Sequence, residues 1–138
     1  MVKEIVKDID VLHKISVKFD FNEDKYLIQD LIDTANAHSE NCVGLASIQI
    51  GVPKRIIVVR NGNDFIPMIN PHIIKRSNET FIAKEGCLSL DGVRQVKRHK
   101  TIMVGYTTKN GETKCENLNG LKAQIVQHEC DHLNGILI

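Results

Sequence analysis

Apolar residues recur at helical spacing in two stretches of the chain. Between residues 23 and about 38 they return every three or four positions, behind Asn22, a residue type that often caps a helix N-terminus. The second stretch follows Asn119-Gly120, and its apolar residues are expected to face the core: Leu121, Ile125 and Val126. The pattern predicts an N-terminal amphipathic helix and a second helix near the C-terminal end.

Short apolar runs bounded by turn residues fill the region between the two predicted helices, and such runs are typical of strands. The expected strands are 55–60, 65–69, 72–76, 93–96, 101–107 and 113–118. Asn70-Pro71 separates the second strand from the third, because proline lacks the N–H that a strand interior needs. Lys109-Asn110-Gly111 is a strong hairpin signal between the last two strands. Residues 1–21 show no sustained period and are expected to be extended and partly helical.

Length and charge narrow the classes of protein to consider. A chain of 138 residues suits a single domain, spanning 1–138, that needs no disulfide to fold. A net charge of +1 gives no electrostatic reason to expect nucleic acid or an anionic membrane as a partner. The first residues lack the apolar run of a signal peptide, and no stretch approaches the roughly 18 apolar residues of a membrane span. We therefore expect a cytoplasmic monomer.

The segment His128-Glu129-Cys130-Asp131-His132 carries the strongest chemical signal in the chain. On a helix, His128 and His132 lie about 40° apart around the axis and roughly 6 Å apart along it, so both rings can reach one metal ion. Glu129 lies about 100° from His128, well placed to hold a water at that ion. Chance spacing on a solvated helix face is the alternative, which the glutamate makes less favoured. The H-E-x-x-H pattern is typical of metal-dependent hydrolases.

A third ligand is offered by Glu85-Gly86-Cys87-Leu88-Ser89. A catalytic metal site in a hydrolase needs three protein ligands and one open position. A lone cysteine near a strand usually belongs to the core, but Gly86 lets the chain turn tightly and present the Cys87 thiol outward. As a thiolate, Cys87 would complete a Cys-His-His set. The backbone N–H of Leu88 would then point near the same ion, ready to donate to an oxyanion.

Two of the other three cysteines, Cys115 and Cys130, are expected to be structural thiols. In a reducing compartment an even number of cysteines does not imply disulfides. Cys130 lies about 200° around the helix from His128, so it is expected to pack in the core. Cys115 has no spacing that indicates a partner.

Small and apolar residues surround a single amide, Gln49, in the segment 42–51. One interpretation is a tightly packed loop and strand in which Gln49 is a structural amide. The other is functional, because Gly44 lets a second backbone approach closely and a buried Gln49 needs a partner, for which a substrate oxygen is a candidate.

Three motifs, taken in order, resemble those of the peptide deformylase family. That family carries G-x-G-φ-A-A-x-Q, E-G-C-φ-S and Q-H-E-x-D-H, and the corresponding segments here are 42–49, 85–89 and 127–132. The last two match completely. In the first, Cys42 and Ser47 stand where the family has glycine and alanine.

The resemblance implies an α+β fold in which antiparallel sheets surround a central C-terminal helix that carries H-E-x-x-H. It implies a hydrolase that removes the N-formyl group from the formylmethionine of nascent peptides and releases formate. One divalent metal ion, natively Fe²⁺, would be held by Cys87, His128 and His132. The same ligands would accept Zn²⁺, Ni²⁺ or Co²⁺.

The resemblance also implies roles for other residues. Glu129 would act as the general base, and the Gln49 side chain and the Leu88 N–H would stabilise the oxyanion. An apolar pocket would take the methionine side chain, and the peptide would pair as an added strand. The substrate-binding residues implied are Val43, Gly44, Gly86 and Arg94.

Ribosome contact is left open by the sequence. Many bacterial members are thought to dock on the ribosome through a C-terminal helix, whereas this sequence ends at Ile138, six residues after His132.

Two other classes of protein fit part of the pattern. A zinc endopeptidase also uses H-E-x-x-H, but its third ligand ordinarily lies downstream. An inactive metal-containing peptide-binding module is suggested by Cys42 and Ser47. Formate release from a formyl-Met peptide separates all three.

Overall fold

Antiparallel strands and three helices build the computed structural model, which describes residues 1–138. A 3₁₀ helix at Ser47–Ile50 follows the first strand. The helices are α1 (Ile9–Leu12), α2 (Tyr26–Ala37) and α3 (Gly120–Leu133), and the strands are β1 (Gly44–Ala46), β2 (Ile56–Asn61), β3 (Asp64–Arg76), β4 (Thr80–Gly86), β5 (Val93–His99), β6 (Thr101–Thr107) and β7 (Thr113–Asn119). The expected α+β class, with antiparallel sheets and a C-terminal helix, is confirmed. No helix combines the length and the hydropathy needed to cross a membrane.

The larger sheet has helices on both faces. Its five strands are ordered β1-β2-β3-β6-β7, while β4 and β5 form a separate two-stranded sheet. Successive side chains of a strand point to opposite faces. Accordingly Ile57 and Val59 of β2 pack in the apolar cluster that contains α3, and Ile56 and Val58 pack in the cluster that contains α2. The C-terminal helix is therefore buried against one face of the sheet.

One long strand, β3, replaces the two strands predicted on either side of Asn70-Pro71. Asn70 has a positive φ of 49°, and the pairing of β3 with β6 shifts register between Ile69 and His72. The Asn70 side chain accepts a hydrogen bond from the Phe19 N–H at 2.8 Å. A bulge of this kind accommodates proline without ending the strand, because the irregular position needs no ladder hydrogen bond.

The predicted start of α2 was wrong. The helix begins at Tyr26, its N-cap residue is Lys25, and Asn22 makes no cap. Charged residues of this stretch such as Asp24 suggest a solvated helix face, but Asp24 is buried, with its carboxylate 3.2 Å from the Lys54 Nζ and 2.8 Å from the Asp20 N–H. A local turn at 20–24 therefore precedes the helix and satisfies the aspartate.

Strand β4 was not predicted, and Leu121 was misplaced. The β4 sequence contains Lys84 and Glu85 and lacks a clean apolar alternation, so its pairing with β5 had no sequence signal. Leu121, expected in the core, lies in the first turn of α3 and is 63% exposed. Ile125 and Val126 are buried as expected.

The turn after α3 provides a test of the packing between the two ends of the chain. Gly135 has a φ of 74°, and a Cβ there would collide with the main-chain carbonyl of His13. Gly111 has a similar φ of 86° with nothing within 4 Å of the added Cβ. We expect Gly111→Ala to cost about 1 kcal/mol through backbone strain alone. Gly135→Ala should cost roughly 2 kcal/mol more, because the clash adds to the strain.

Urea denaturation of both variants measures this difference in the free energy of unfolding. Equal losses in the two variants would show that the residues around His13 do not pack tightly on Gly135.

Candidate active site

Three side chains bring nitrogen and sulfur atoms together at one point. The Nε2 atoms of His128 and His132 lie 3.2 Å apart, and the Cys87 Sγ lies 3.4 Å from the His132 Nε2. All three donor atoms lie within 4.8 Å of one another. The histidines lie one turn apart on α3, and Cys87 directly follows the end of β4, so the site joins a helix to the smaller sheet. The structure thus brings together the three residues that the sequence suggested as ligands.

The two histidine rings are prepared as ligands in different ways. His128 Nδ1 donates to the Glu85 Oε1 at 2.8 Å. Burial lowers the pKa of His128, but its neighbours Cys87, Glu85 and Glu129 raise it to about 10, so a cation that binds at Nε2 would displace a proton there. His132 is fully buried, and burial together with the nearby His128 lowers its pKa to about 3. Its ring is therefore neutral and can offer a lone pair to a cation.

Glu85 is fixed by a buried ion pair. The Arg98 Nη2 donates to the Glu85 Oε1 at 2.6 Å and the Arg98 Nε donates to the Oε2 at 2.9 Å. Arg98 also donates to Asp131 at 2.6 Å, and Gln124 donates to the Glu85 Oε2 at 3.1 Å. Burial raises the pKa of the Glu85 carboxyl, but the hydrogen bonds from Arg98 and His128 outweigh it and hold the pKa at about 2. Glu85 is therefore an anion that orients His128.

Glu129 has the opposite environment. Its side chain is 3% exposed, its Oε1 has no hydrogen-bond partner, and no cation contacts it. Burial raises its pKa to about 7, although the nearby His128 lowers it in part. A Cβ on Gly44 would lie 2.8 Å from the Glu129 Oε2 and 2.8 Å from the Ile125 Cγ2, so β1 approaches the carboxylate as closely as only glycine allows.

Gln49 lies between β1 and the loop that holds Cys87. Its Oε1 accepts from the Ala46 N–H at 3.0 Å, and its Nε2 lies 3.2 Å from the Ser89 Oγ and 3.4 Å from the Cys87 Sγ. The amide therefore makes structural hydrogen bonds and also lies beside the three donor atoms. The observed contacts are those of a structural amide, and the role of Gln49 toward a substrate oxygen stays a prediction.

A cavity of about 220 Å³ opens beside these groups. Val43, Gly44, Gly86 and Leu88, all suggested by the sequence, line it together with Glu129. Arg94 does not line it, and its Nη2 donates to the Asp91 carbonyl at 2.9 Å. The implied contact of Arg94 with the substrate therefore stays a prediction.

The model of the family described as polypeptide deformylase matches residues 2–138. The chain belongs to this family. A peptide deformylase of Clostridium beijerinckii is 49% identical over 138 residues, with both chains fully covered. One from Thermotoga maritima is 42% identical over 122 residues, which cover 88% of this chain and 73% of the relative.

Solved peptide deformylase structures have the same fold. The structure from Thermotoga maritima has a TM-score of 0.89 at 38% identity and covers 99% of this chain and 95% of its own. A Met-Ala-Ser-bound class I type b enzyme from Acinetobacter baumannii has a TM-score of 0.88 at 34% identity, covering 99% and 96%.

Polypeptide deformylases depend on a metal ion, and Cys87, His128 and His132 form a group that can hold one. The donor set fits such an ion. A thiol sulfur and two imidazole nitrogens lie within 4.8 Å of one another, and a thiolate with two imidazoles suits divalent transition metals. The buried, unpartnered Glu129 Oε1 lies on the next residue of the helix.

Several residues of this deformylase site were missed by the sequence analysis. Arg98 lies beyond the strand expected at 93–96, and nothing in its spacing pointed to Glu85. The cavity wall formed by α3 follows helical spacing through Leu121, Gln124, Ile125 and His128, a signal that was present in the sequence. That wall also explains why Leu121 is exposed rather than in the core.

The cysteines outside the donor set differ in environment. All four cysteines are unpaired thiols, Cys130 is in the core as expected, and Cys115 is exposed on β7. Cys42 lines the cavity, its Sγ donates to the Gly44 carbonyl at 3.2 Å, and burial raises its pKa to about 12. The thiol that replaces the family's glycine is therefore neutral and bonded to the main chain.

The Glu85 carboxylate is expected to support metal binding without touching the metal. Glu85→Gln should weaken retention of a divalent ion by roughly 10- to 100-fold, since an amide orients His128 less strongly and leaves Arg98 poorly paired. Glu79→Gln is the matched control, because Glu79 pairs with Lys100 at 3.2 Å on the surface.

Metal content after dialysis against graded chelator measures the effect. Equal retention by the two variants would contradict the supporting role of Glu85.

Proposed function

We propose that this chain removes the N-formyl group from the N-terminal formylmethionine of newly made proteins, releasing formate and a free amine. The proposed reaction rests on the membership of this chain in the polypeptide deformylase family. The observation that supports the assignment to this site is the convergence of Cys87, His128 and His132 beside an unpartnered carboxylate at a cavity wall. We expect the chain to act as a monomer in the cytoplasm, where formylated chains are made.

Cys87, His128 and His132 hold one divalent cation in this proposal. We propose Fe²⁺ as the native ion, with Zn²⁺, Ni²⁺ and Co²⁺ as alternatives that the same ligands accept. When bound, such a cation lowers the pKa of a coordinated water and polarises the formyl carbonyl.

Glu129 is the proposed general base. Its carboxylate follows the ligand His128 in the chain and lines the cavity, and no hydrogen bond occupies its Oε1. It takes a proton from the attacking water at that oxygen and passes it to the departing amine. A carboxyl whose pKa is raised to about 7 can both take and give a proton near neutral pH.

The Leu88 N–H and the Gln49 side-chain amide are the proposed donors to the oxyanion. Both residues line the cavity, and Gln49 lies 3.4 Å from the Cys87 Sγ. Their hydrogen bonds strengthen as negative charge develops on the formyl oxygen. In this proposal Gln49 donates one proton to substrate and keeps its oxygen on the Ala46 N–H.

The free edge of β1 is the proposed track for the peptide. β1 pairs only with β2, and the Val43 carbonyl accepts from the Arg60 N–H on that side. Main-chain groups alternate in direction along a strand, so the N–H and carbonyl of Gly44 point away from β2. A peptide that adds as a strand can pair with them, with Gly86 across the cavity.

The methionine side chain is proposed to enter the apolar part of the cavity. Leu88, Leu121 and Ile125 supply apolar surface there. Arg94 is kept as a proposed contact for peptide residues that extend beyond the cavity. A zinc endopeptidase and an inactive peptide-binding module are not favoured by the family assignment.

Formate release tests the proposed function. Protein purified without oxygen should release formate from formyl-Met-Ala-Ser. Glu129→Gln should keep its metal and lose about 10²-fold or more in kcat, because it cannot accept the proton. An inactive wild-type protein with full metal occupancy would contradict the function, and a normal kcat in the variant would contradict the role of Glu129.

The role of Gln49 is tested by Gln49→Leu, which removes the amide and roughly keeps its volume. If the amide stabilises the oxyanion, kcat should fall on the order of 10²–10³-fold with KM much less affected. If its bonds to Ala46 and Ser89 are its whole contribution, Tm should fall while the folded fraction keeps a near-normal kcat. Measuring Tm and kcat on one preparation separates these results.

A further inference from the structure

The loop between α2 and β1, residues 38–43, forms one wall of the cavity. Asn41, Cys42 and Val43 line the cavity directly, and Gly44 follows them at the start of β1. This loop belongs to no helix or strand, so its shape depends on a few hydrogen bonds.

One side chain, Arg60 at the end of β2, supplies several of those bonds. Its Nη2 donates to the Cys42 carbonyl at 2.8 Å and also to the Ser39 carbonyl, and its Nε donates to the Cys42 carbonyl at 3.3 Å. No other group in the protein donates to these two carbonyls. The Arg60 main-chain N–H adds a bond to the Val43 carbonyl at 2.8 Å.

Phe65 holds the guanidinium in place. Phe65 is the β3 residue directly opposite Arg60, and the Arg60 Cζ lies 4.8 Å from the centre of its ring. An arginine stacks on an aromatic face while its planar fork donates in two directions. Lysine has a point charge and cannot do both, so the arrangement is specific for arginine.

We infer that Arg60 is a positioning residue for the substrate peptide, which fixes the loop 38–43 so that Gly44 presents its main-chain groups to the peptide. The inference rests on the proposed function, since it assumes that β1 receives the substrate strand. Arg60 does not line the cavity and is absent from the group of metal-binding atoms, so its effect passes through the loop.

The inference predicts an effect that depends on peptide length. Formyl-Met alone has almost no backbone to pair with β1, whereas formyl-Met-Ala-Ser has backbone on both sides of its second residue. Without Arg60 the loop 38–43 must become ordered when the longer peptide binds. The free-energy cost of that ordering lowers the affinity for the longer peptide.

The dependence on peptide length is tested by steady-state formate release from these two substrates, measured for the variants Arg60→Met, Arg60→Lys and Arg55→Met. Arg55 is the matched control, because it also donates to a main-chain carbonyl, that of Pro71 at 3.2 Å, and does not line the cavity. We expect Arg60→Met to raise KM for formyl-Met-Ala-Ser about ten-fold, with kcat and the KM for formyl-Met changed less than about two-fold. Arg60→Lys should recover only part of the loss, and Arg55→Met should show no dependence on length.

Binding of the product peptide Met-Ala-Ser, measured by calorimetry, gives a result that does not depend on turnover. Its Kd should rise about ten-fold in Arg60→Met and stay unchanged in Arg55→Met. An unchanged Kd, or an equal change in KM for both substrates, overturns the inference. Absence of formate release from the wild-type protein overturns the proposed function instead, and the Kd values still decide the role of Arg60.

Discussion

The ion pair between Glu85 and Arg98 is the interaction on which the site depends. Both side chains are buried, and removing two charges from water costs several kcal/mol each unless their hydrogen bonds are complete. Here Arg98 contacts both oxygens of Glu85, and His128 and Gln124 contact them as well. The carboxylate is therefore fully satisfied and has one orientation.

This pair also connects parts of the fold that the main sheet leaves separate. β4 and β5 form their own two-stranded sheet, and Cys87 follows the end of β4. Arg98 on β5 reaches Asp131 on α3, and Glu85 on β4 reaches His128 on the same helix. Because both links end on α3, the smaller sheet is held where Cys87 meets the two histidines.

The sequence was informative where chemistry is encoded by local spacing. The spacing of His128 and His132 required only a helix, and Cys87 followed from a glycine and its place in the chain. It was uninformative where a tertiary contact decides the structure. β4 lacks a clean apolar alternation and was not predicted, although Arg98 on β5 pairs with its Glu85. Leu121 was expected in the core, but it lines the cavity. Asn70 and Pro71 were predicted to end a strand. In the structure β3 continues through them, because a bulge and a hydrogen bond from the Phe19 N–H to Asn70 accommodate the proline.

Two carboxyl groups near the same histidine have pKa values displaced in opposite directions, and their neighbours explain the difference. Burial by itself raises the pKa of both carboxyl groups. Glu85 has Arg98 against both oxygens and its pKa is held at about 2, whereas Glu129 lacks a cation partner and burial raises its pKa to about 7. The close approach of Gly44 contributes to this burial, because a side chain there would displace the Glu129 carboxylate. The same main chain that is proposed to pair with the peptide thus also keeps the proposed base out of water, so peptide binding and proton transfer depend on one glycine.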